Sequence, residues 1–201
     1  MQKKIYKLVK LANVVITGSP YLTDVLQQYS KKILEIPAST SFEKYNSVIP
    51  KKNAQANIFK IRWVGSKTTS INFLLVAEAI KMFQKKHENA QLVLMGFDTM
   101  CLSVVSGIKY ELLSWTAESE VQTISSFDVG IMPLRDTDFN KGKCGFKLIQ
   151  YMACGITTIS SPFAANIKAN QENENLFAAT TEEWLECFEK VISNKNFYHD
   201  I

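Results

Sequence analysis

From Phe59 onward the chain alternates short apolar runs with stretches at helical spacing, and that alternation leaves few folds open. Runs at 59–64, 91–95, 108–113, 129–134 and 157–160, with a last one around Leu176, read as strands, several of them closed by glycine or proline. Residues 72–87, 119–126 and 181–193 read as helices between or after them. Strands separated by helices pair in parallel, parallel neighbours need crossover connections, and the crossovers cover both faces of the sheet. The expected fold is therefore α/β, an open, doubly wound, mainly parallel Rossmann-like sheet. Ligands in such sheets bind outside the carboxyl ends of the strands. Gly65-Ser66, Gly96, Trp115, Pro133-Leu134 and Ser160-Ser161-Pro162 fall on that rim and surround a loop at 140–147.

The chain before this block has a different texture. A helix at 3–12 and a β-branched strand at 13–17 stop at Gly18. Ser19 is a good N-cap with Pro20 at the first helical position, so 21–29 reads as a helix and 32–36 as the next strand, closed by Pro37. Residues 38–57 are polar and lack periodicity, which is the composition of a linker. The boundary falls there, giving a small unit plus linker at 1–50 and the main domain at 51–201.

With 201 residues, 46% hydrophobic and 21% charged, the sequence suits a soluble globular protein, and a net charge of +4 suits an anionic small ligand or an acidic membrane surface. Nothing in the charge pattern demands nucleic acid. Cys101, Cys144, Cys154 and Cys187 lie far apart and the only histidines are His87 and His199, which argues against a zinc site and fits a reducing cytoplasm. No apolar run approaches the roughly 20 residues of a membrane span, so membrane contact would be peripheral.

Candidate chemistry concentrates in residues 140–155. Gly142 and Gly145 permit close backbone approach, and the free N–H groups of a helix beginning near Gly145 attract anions, with Lys143 and Lys147 adding full charges. Along that helix Leu148, Ile149, Met152 and Ala153 form the expected packing stripe, leaving Lys147, Gln150, Tyr151 and Cys154 on the side open to a ligand. The stretch reads either as a phosphate-binding loop or as an exposed loop before an amphipathic helix. Gly65-Ser66-Lys67-Thr68-Thr69 could hold a diphosphate or form a plain turn; it matches neither dinucleotide-binding nor P-loop spacing. Trp115 either stacks on a base or packs under a loop. Asp128 is expected to cap or turn the chain, His87 to face solvent, and Met82, Met95, Met100 and Met132 to fill the core. No paired carboxylates, metal cluster or nucleophile with an adjacent base stands out, so no catalytic residue is assigned.

Taken together, Trp63-Val-Gly-Ser66, Leu94-Met-Gly96, Phe127-Asp-Val-Gly-Ile-Met-Pro-Leu134, Gly142-Lys-Cys-Gly-Phe-Lys147, Gln150-Tyr-Met-Ala-Cys-Gly155 and Ile159-Ser-Ser-Pro162 resemble the C-terminal half of group 1 (family 4) glycosyltransferases. The resemblance covers about Asn13 to Ser193. It implies a GT-B arrangement, in which the C-terminal domain holds a nucleotide-diphosphate sugar and the N-terminal domain carries a glycan or lipid-linked acceptor. Transfer there retains configuration and usually needs no metal or other cofactor. The family's two glutamates, seven residues apart, align with Gly142 and Gln150, so neither carboxylate is present; Gln150 could still bond a ribose hydroxyl. The family's usual arginine and lysine after the first strand are not obvious either, since Gly65 is followed by Ser66 and Asn72 stands near the lysine position, so donor binding is expected at Gly65, Ser66, Lys143, Gly145, Lys147 and Gln150, with the two lysines neutralising the diphosphate. The resemblance also makes residues 1–50 a remnant of the acceptor domain, and the chain a truncated form acting in polysaccharide or glycan assembly, with a partner chain to supply the missing domain. The alternative it leaves is a non-catalytic descendant that binds a nucleotide sugar or only protein.

Overall fold

A computed structural model describes residues 2–46, 58–170 and 175–193. The small N-terminal unit runs α1 (Gln2–Leu11), β1 (Val15–Thr17), α2 (Pro20–Leu26) and β2 (Ile33–Glu35). Ser19 caps α2 by accepting the Leu22 N–H at 3.4 Å, as the sequence predicts, although the helix stops three residues early. β1 and β2 pair in parallel, Val15 opposite Ile33. A pair this short is weak alone. Side chains reinforce it: Thr23 bonds Thr17 at 2.6 Å and donates to Glu35 at 2.9 Å.

The expected unstructured linker instead contains a helix, α3 (Phe42–Asn46), which buries Tyr45 against the main domain. Composition hid it because a single buried aromatic sets no period. The rest of the expected linker, residues 47–57, lies outside the described residues.

The main domain alternates strand and helix: β3 (Phe59–Val64), α4 (Ala77–Lys86), β4 (Ala90–Met95), β5 (Tyr110–Leu113), α5 (Glu120–Ile124), β6 (Val129–Met132), α6 (Asp138–Lys141), α7 (Phe146–Ala153), β7 (Thr158–Ser160), α8 (Ala164–Ala169), β8 (Leu176–Phe177) and α9 (Thr181–Ser193). All pairings are parallel and the order is β5-β4-β3-β6-β7-β8. This is the Rossmann-like doubly wound order, which reverses direction between β3 and β6. The segment Lys67–Leu75, expected as a turn running into a helix, is 3₁₀ instead, and the 3₁₀ segment Thr99–Val105 and the short helices α6 and α8 escaped sequence reasoning altogether.

Alternation along β3 divides the core between the faces of the sheet. Phe59, Ile61 and Trp63 pack with Phe73, Phe83, Leu92, Leu94, Trp184 and Phe188 on one face. Val64 joins Met95, Ile124, Phe127, Leu148 and Tyr151 on the other. Met82 and Met100 are exposed rather than core, and His87 packs on Phe83 and meets Glu189 at 3.0 Å rather than facing solvent.

β3 and β6 pair only through Ile61 opposite Val129 and Arg62 opposite Gly130, then part. Beyond that point the Val64 N–H has no strand partner, and a buried N–H left unpaired costs about 1–3 kcal/mol. The Tyr151 hydroxyl accepts it at 3.1 Å. Tyr151 is fully buried, with its ring pressed on the Gly130 backbone so closely that a Cβ at 130 would lie 2.6 Å from a ring carbon. One phenol thus ties α7 to both strands where they separate. Gly130→Ala is expected to lower stability by about 1–3 kcal/mol in denaturant unfolding, because the tethered ring cannot withdraw. Gly18→Ala, whose Cβ would meet its nearest neighbour at 3.4 Å, should lose less than half as much; equal losses would contradict the clamp.

Candidate functional site

β3 and β6 part toward their carboxyl ends, the switch point outside which doubly wound sheets bind ligands, and the segment after β6 runs along that rim. That segment is fixed by side chains. Thr137 caps α6, accepting the Asn140 N–H at 3.3 Å. Asn140, buried, donates to Asn72 Oδ1 at 2.9 Å and to the Arg135 carbonyl at 2.9 Å, while the Arg135 N–H reaches the same Asn72 oxygen at 3.2 Å. The loop after β6 is therefore pinned to the segment after β3. Gly145 then turns the chain with φ +70°, a conformation that favours glycine, and α7 begins. The N–H groups of Phe146 and Lys147 find no acceptor among the described residues.

Lys147 rises from this first turn over the indole of Trp63, 5.4 Å from the ring centroid. Burial, with Lys143 as a second cause, pushes its ammonium down to about 8. Lys143 sits over the Phe139 ring at 4.6 Å, and burial lowers its pKa as well. Neither lysine has a carboxylate partner among the described residues. Keeping Lys147 charged at neutral pH without an anion costs on the order of 3 kcal/mol. Two desolvated cations, helix N–H groups without an acceptor among the described residues and a glycine turn are the elements from which anion sites are built.

The other expected ligand residues divide. Gly65 and Ser66 lie on the same rim; a Cβ at Gly65 would strike the Trp63 ring at 2.1 Å, so the indole that carries Lys147 runs directly beneath Gly65. Ser66 keeps its hydroxyl exposed, 3.1 Å from the Thr68 hydroxyl, while its N–H donates to Thr69 at 3.3 Å. Gly142 faces the N-terminal unit, its carbonyl accepting the Ser19 hydroxyl at 3.2 Å.

Gln150 differs from expectation. The face of α7 bearing Gln150, Tyr151 and Cys154 is the buried one, and Ala153, expected to pack, is exposed. The helix lies across a sheet whose partner groups are polar as well as apolar, so polarity misassigned its faces. The Gln150 amide donates to the Tyr45 hydroxyl at 2.7 Å and bonds Glu120, so it is engaged with protein rather than open to a ligand. Asp128 is structural, accepting the Lys60 N–H at 2.7 Å.

Sequence reasoning missed Glu120, Asn72, Asn140 and Arg135. Glu120 is a buried carboxylate; burial alone would raise its pKa, but bonds from Trp115, Lys44 and Gln150 outweigh it and hold the group below its ordinary value. Arg135, in the loop three residues past β6, carries a buried Nε without an acceptor among the described residues. Only Arg135 had a readable signal, a lone cation directly after an apolar run. The His, Cys, Asp and Glu side chains among the described residues form no cluster suited to a metal, and no described helix is long and apolar enough to cross a membrane.

A family model described as glycosyl transferases group 1 matches residues 58–194. Curated protein sequences gave no match. Among solved structures, Anabaena HepE in complex with UDP and glucose superimposes with a TM-score of 0.73 at 13% identity, over 94% of this chain and 55% of that one. WaaG, a glycosyltransferase involved in lipopolysaccharide biosynthesis, gives 0.71 at 11%, over 92% and 55%. S. aureus TarM in complex with UDP and sugar ligands gives 0.73 at 13%, over 98% and 40%. The chain thus spans about half the length of these proteins or less, and the likeness establishes a shared GT-B fold.

The depressed Lys147 has a signed consequence for stability. Between its folded value of about 8 and its ordinary value near 10.5 the unfolded chain binds more protons, so this group's contribution to stability rises with pH across that window. Lys147→Met is expected to be more stable than the parent without ligand at pH 7, and the gap should shrink toward pH 10. Cys154 and Cys187, raised to about 11 by burial, titrate in both proteins and cancel in the difference. A gap independent of pH in denaturant unfolding would contradict the assignment.

Proposed function

Because this chain belongs to the group 1 glycosyltransferase family, we propose that it is the donor-binding half of a retaining enzyme that uses a nucleotide-diphosphate sugar. The observation that carries the reading is the pair of desolvated lysines at the switch point, Lys143 and Lys147, with no carboxylate partner among the described residues. A diphosphate matches that site in charge and reach, and three features support its placement. The N–H groups at the start of α7 follow Gly145, the Ser66 hydroxyl faces the rim, and Gly65 lets the ligand approach the backbone closely. Gln150, which stands where the family has its second glutamate, enters as the residue that holds the buried Glu120 carboxylate in place. No metal is required, since the lysines neutralise the leaving diphosphate. That UDP accompanies the HepE and TarM structures is consistent with a uridine donor.

In the reaction the protein's contribution would be electrostatic. Negative charge builds on the diphosphate as the bond to the sugar breaks, and cations already fixed in a water-poor site stabilise it without reorganising. The acceptor must also be held beside the anomeric carbon, an alignment that can supply about 7–11 kcal/mol of the barrier. The N-terminal unit brings two strands whose outer residues Ile16 and Leu34 are exposed, as are Ile5 and Leu8 of α1. We place the rest of an acceptor domain, from a partner chain or a longer form, on that apolar face. This chain alone then binds donor and transfers little sugar. Its acceptor would be a glycan or lipid-linked sugar in polysaccharide assembly at the cytoplasmic side of a membrane.

A second reading, a descendant that binds a nucleotide sugar without catalysis, is favoured by one observation: neither Gly142 nor Gln150 offers a carboxylate, and both are engaged with protein. Adding labelled nucleotide sugar and an acceptor extract to the chain together with its complementary domain separates the two, since transfer sinks the second reading. For donor binding, a UDP- or GDP-sugar at 100 times its dissociation constant should add about 2.7 kcal/mol to stability in thermal unfolding. Lys147→Ala should weaken UDP by about 1.5–3 kcal/mol in calorimetry while leaving uridine unaffected. Equal losses for both ligands would remove Lys147 from the diphosphate site.

A further inference from the structure

Of the three tryptophans, Trp63 and Trp184 are 2% and 0% exposed, whereas Trp115 is 51% exposed at the carboxyl end of the sheet. An open indole is normally free to rotate, but this one is held. Its Nε1 donates to Glu120 at 3.0 Å, and Glu120 is gripped in turn by Lys44 at 3.1 Å and by Gln150. The ring is thereby fixed in orientation while its surface stays open, so the conformational cost of presenting it is met before any ligand arrives. Half its surface is exposed, which argues against the alternative that Trp115 packs beneath a loop of the described residues.

Its position relative to the anion site follows from close approaches across the rim. A Cβ at Gly96 would stand 3.7 Å from the Trp115 Cβ and 2.3 Å from the Gly65 carbonyl oxygen. Gly65 in turn lies against the Trp63 ring, which carries Lys147. The second connection runs through side chains, because Glu120 meets Gln150, one helical turn from Lys147 on α7. A flat apolar platform and two cations therefore lie along the rim, joined beneath it by the buried Glu120–Gln150 pair, in the order that a base and a diphosphate would need.

We propose that Trp115 is the nucleobase platform of the donor site, and that Glu120, held by Lys44 and Gln150, positions it. This rests on the donor-binding reading above and adds to it a residue and a chemistry: recognition of the base by stacking on an aromatic face, which tolerates any base because each has a π-face. Lys44 belongs to α3, so the segment joining the two units takes part in holding the platform.

The protein's own fluorescence tests this, since Trp115 is the one exposed indole. Titration with UDP or GDP should quench the exposed emission, and pyrophosphate, which fills only the anion end, should not. Trp115→Ala should weaken both nucleotides by about tenfold or more and leave pyrophosphate affinity unchanged. Trp115→Phe should recover part of the loss, because it restores a ring without the Nε1–H that Glu120 holds, and it also reports that the fold is intact. Nucleotide binding of parental affinity in Trp115→Ala, or quenching that survives in Trp115→Phe, would overturn the platform and leave the diphosphate site standing. Failure of both nucleotides and pyrophosphate to bind the parent chain would overturn both.

Discussion

Helix α7 owes its place to one buried hydrogen bond. Where β3 and β6 diverge, the Val64 N–H loses its strand partner, and the Tyr151 hydroxyl replaces it from across the sheet. The exchange needs a flat backbone beneath the ring, which Gly130 supplies. Everything that makes the rim chemically distinctive depends on that clamp. Lys147 is one turn before Tyr151, Gln150 is its neighbour, and the N–H groups without an acceptor among the described residues open the same helix. Were α7 held only by apolar contacts, it could slide along the sheet and the two lysines would lose their burial.

The second organising feature is a carboxylate. Glu120 draws together Lys44 from the joining segment, Trp115 from the rim and Gln150 from α7. Burial opposes its charge, yet three donors outweigh that opposition, so the group stays ionised and keeps its partners. Breaking such a network strands a buried charge, which makes it more rigid than any of its members alone. It also connects the joining segment to the Trp115 end of the rim, while the Ser19 bond to Gly142 ties the N-terminal unit to the loop that carries Lys143. Any movement of the small unit would be felt at both ends.

The fold was largely legible because parallel strands buried on both faces leave continuous apolar runs, as at 92–95 and 129–134, and because the interrupted run at 59–64 still ends at a glycine. Lys143, Lys147, Gly145, Gly65 and Ser66 do come to one rim. What stayed hidden were features set by distant partners. The polarity of α7 pointed Tyr151 and Gln150 outward, since nothing local shows that Val64 needs an acceptor or that Tyr45 would arrive from an apparently featureless linker. Asn72 and Asn140 were unreadable for the same reason, because their value lies in a bond between segments 68 residues apart. Glu120 looked like an ordinary first-turn acid on a short helix.

The account depends most on Lys147 being a desolvated cation that waits for an anion. Isotope labelling at the lysine side chains allows its ionisation to be followed directly by nuclear magnetic resonance, with Lys147→Arg identifying the signal. The free protein should show a lysine titrating at about 8, and saturating UDP should move it back above the ordinary lysine value of about 10.4, while uridine leaves it in place. A Lys147 that titrates at its ordinary value in the free protein, or one that UDP does not move, would contradict the diphosphate site at its foundation.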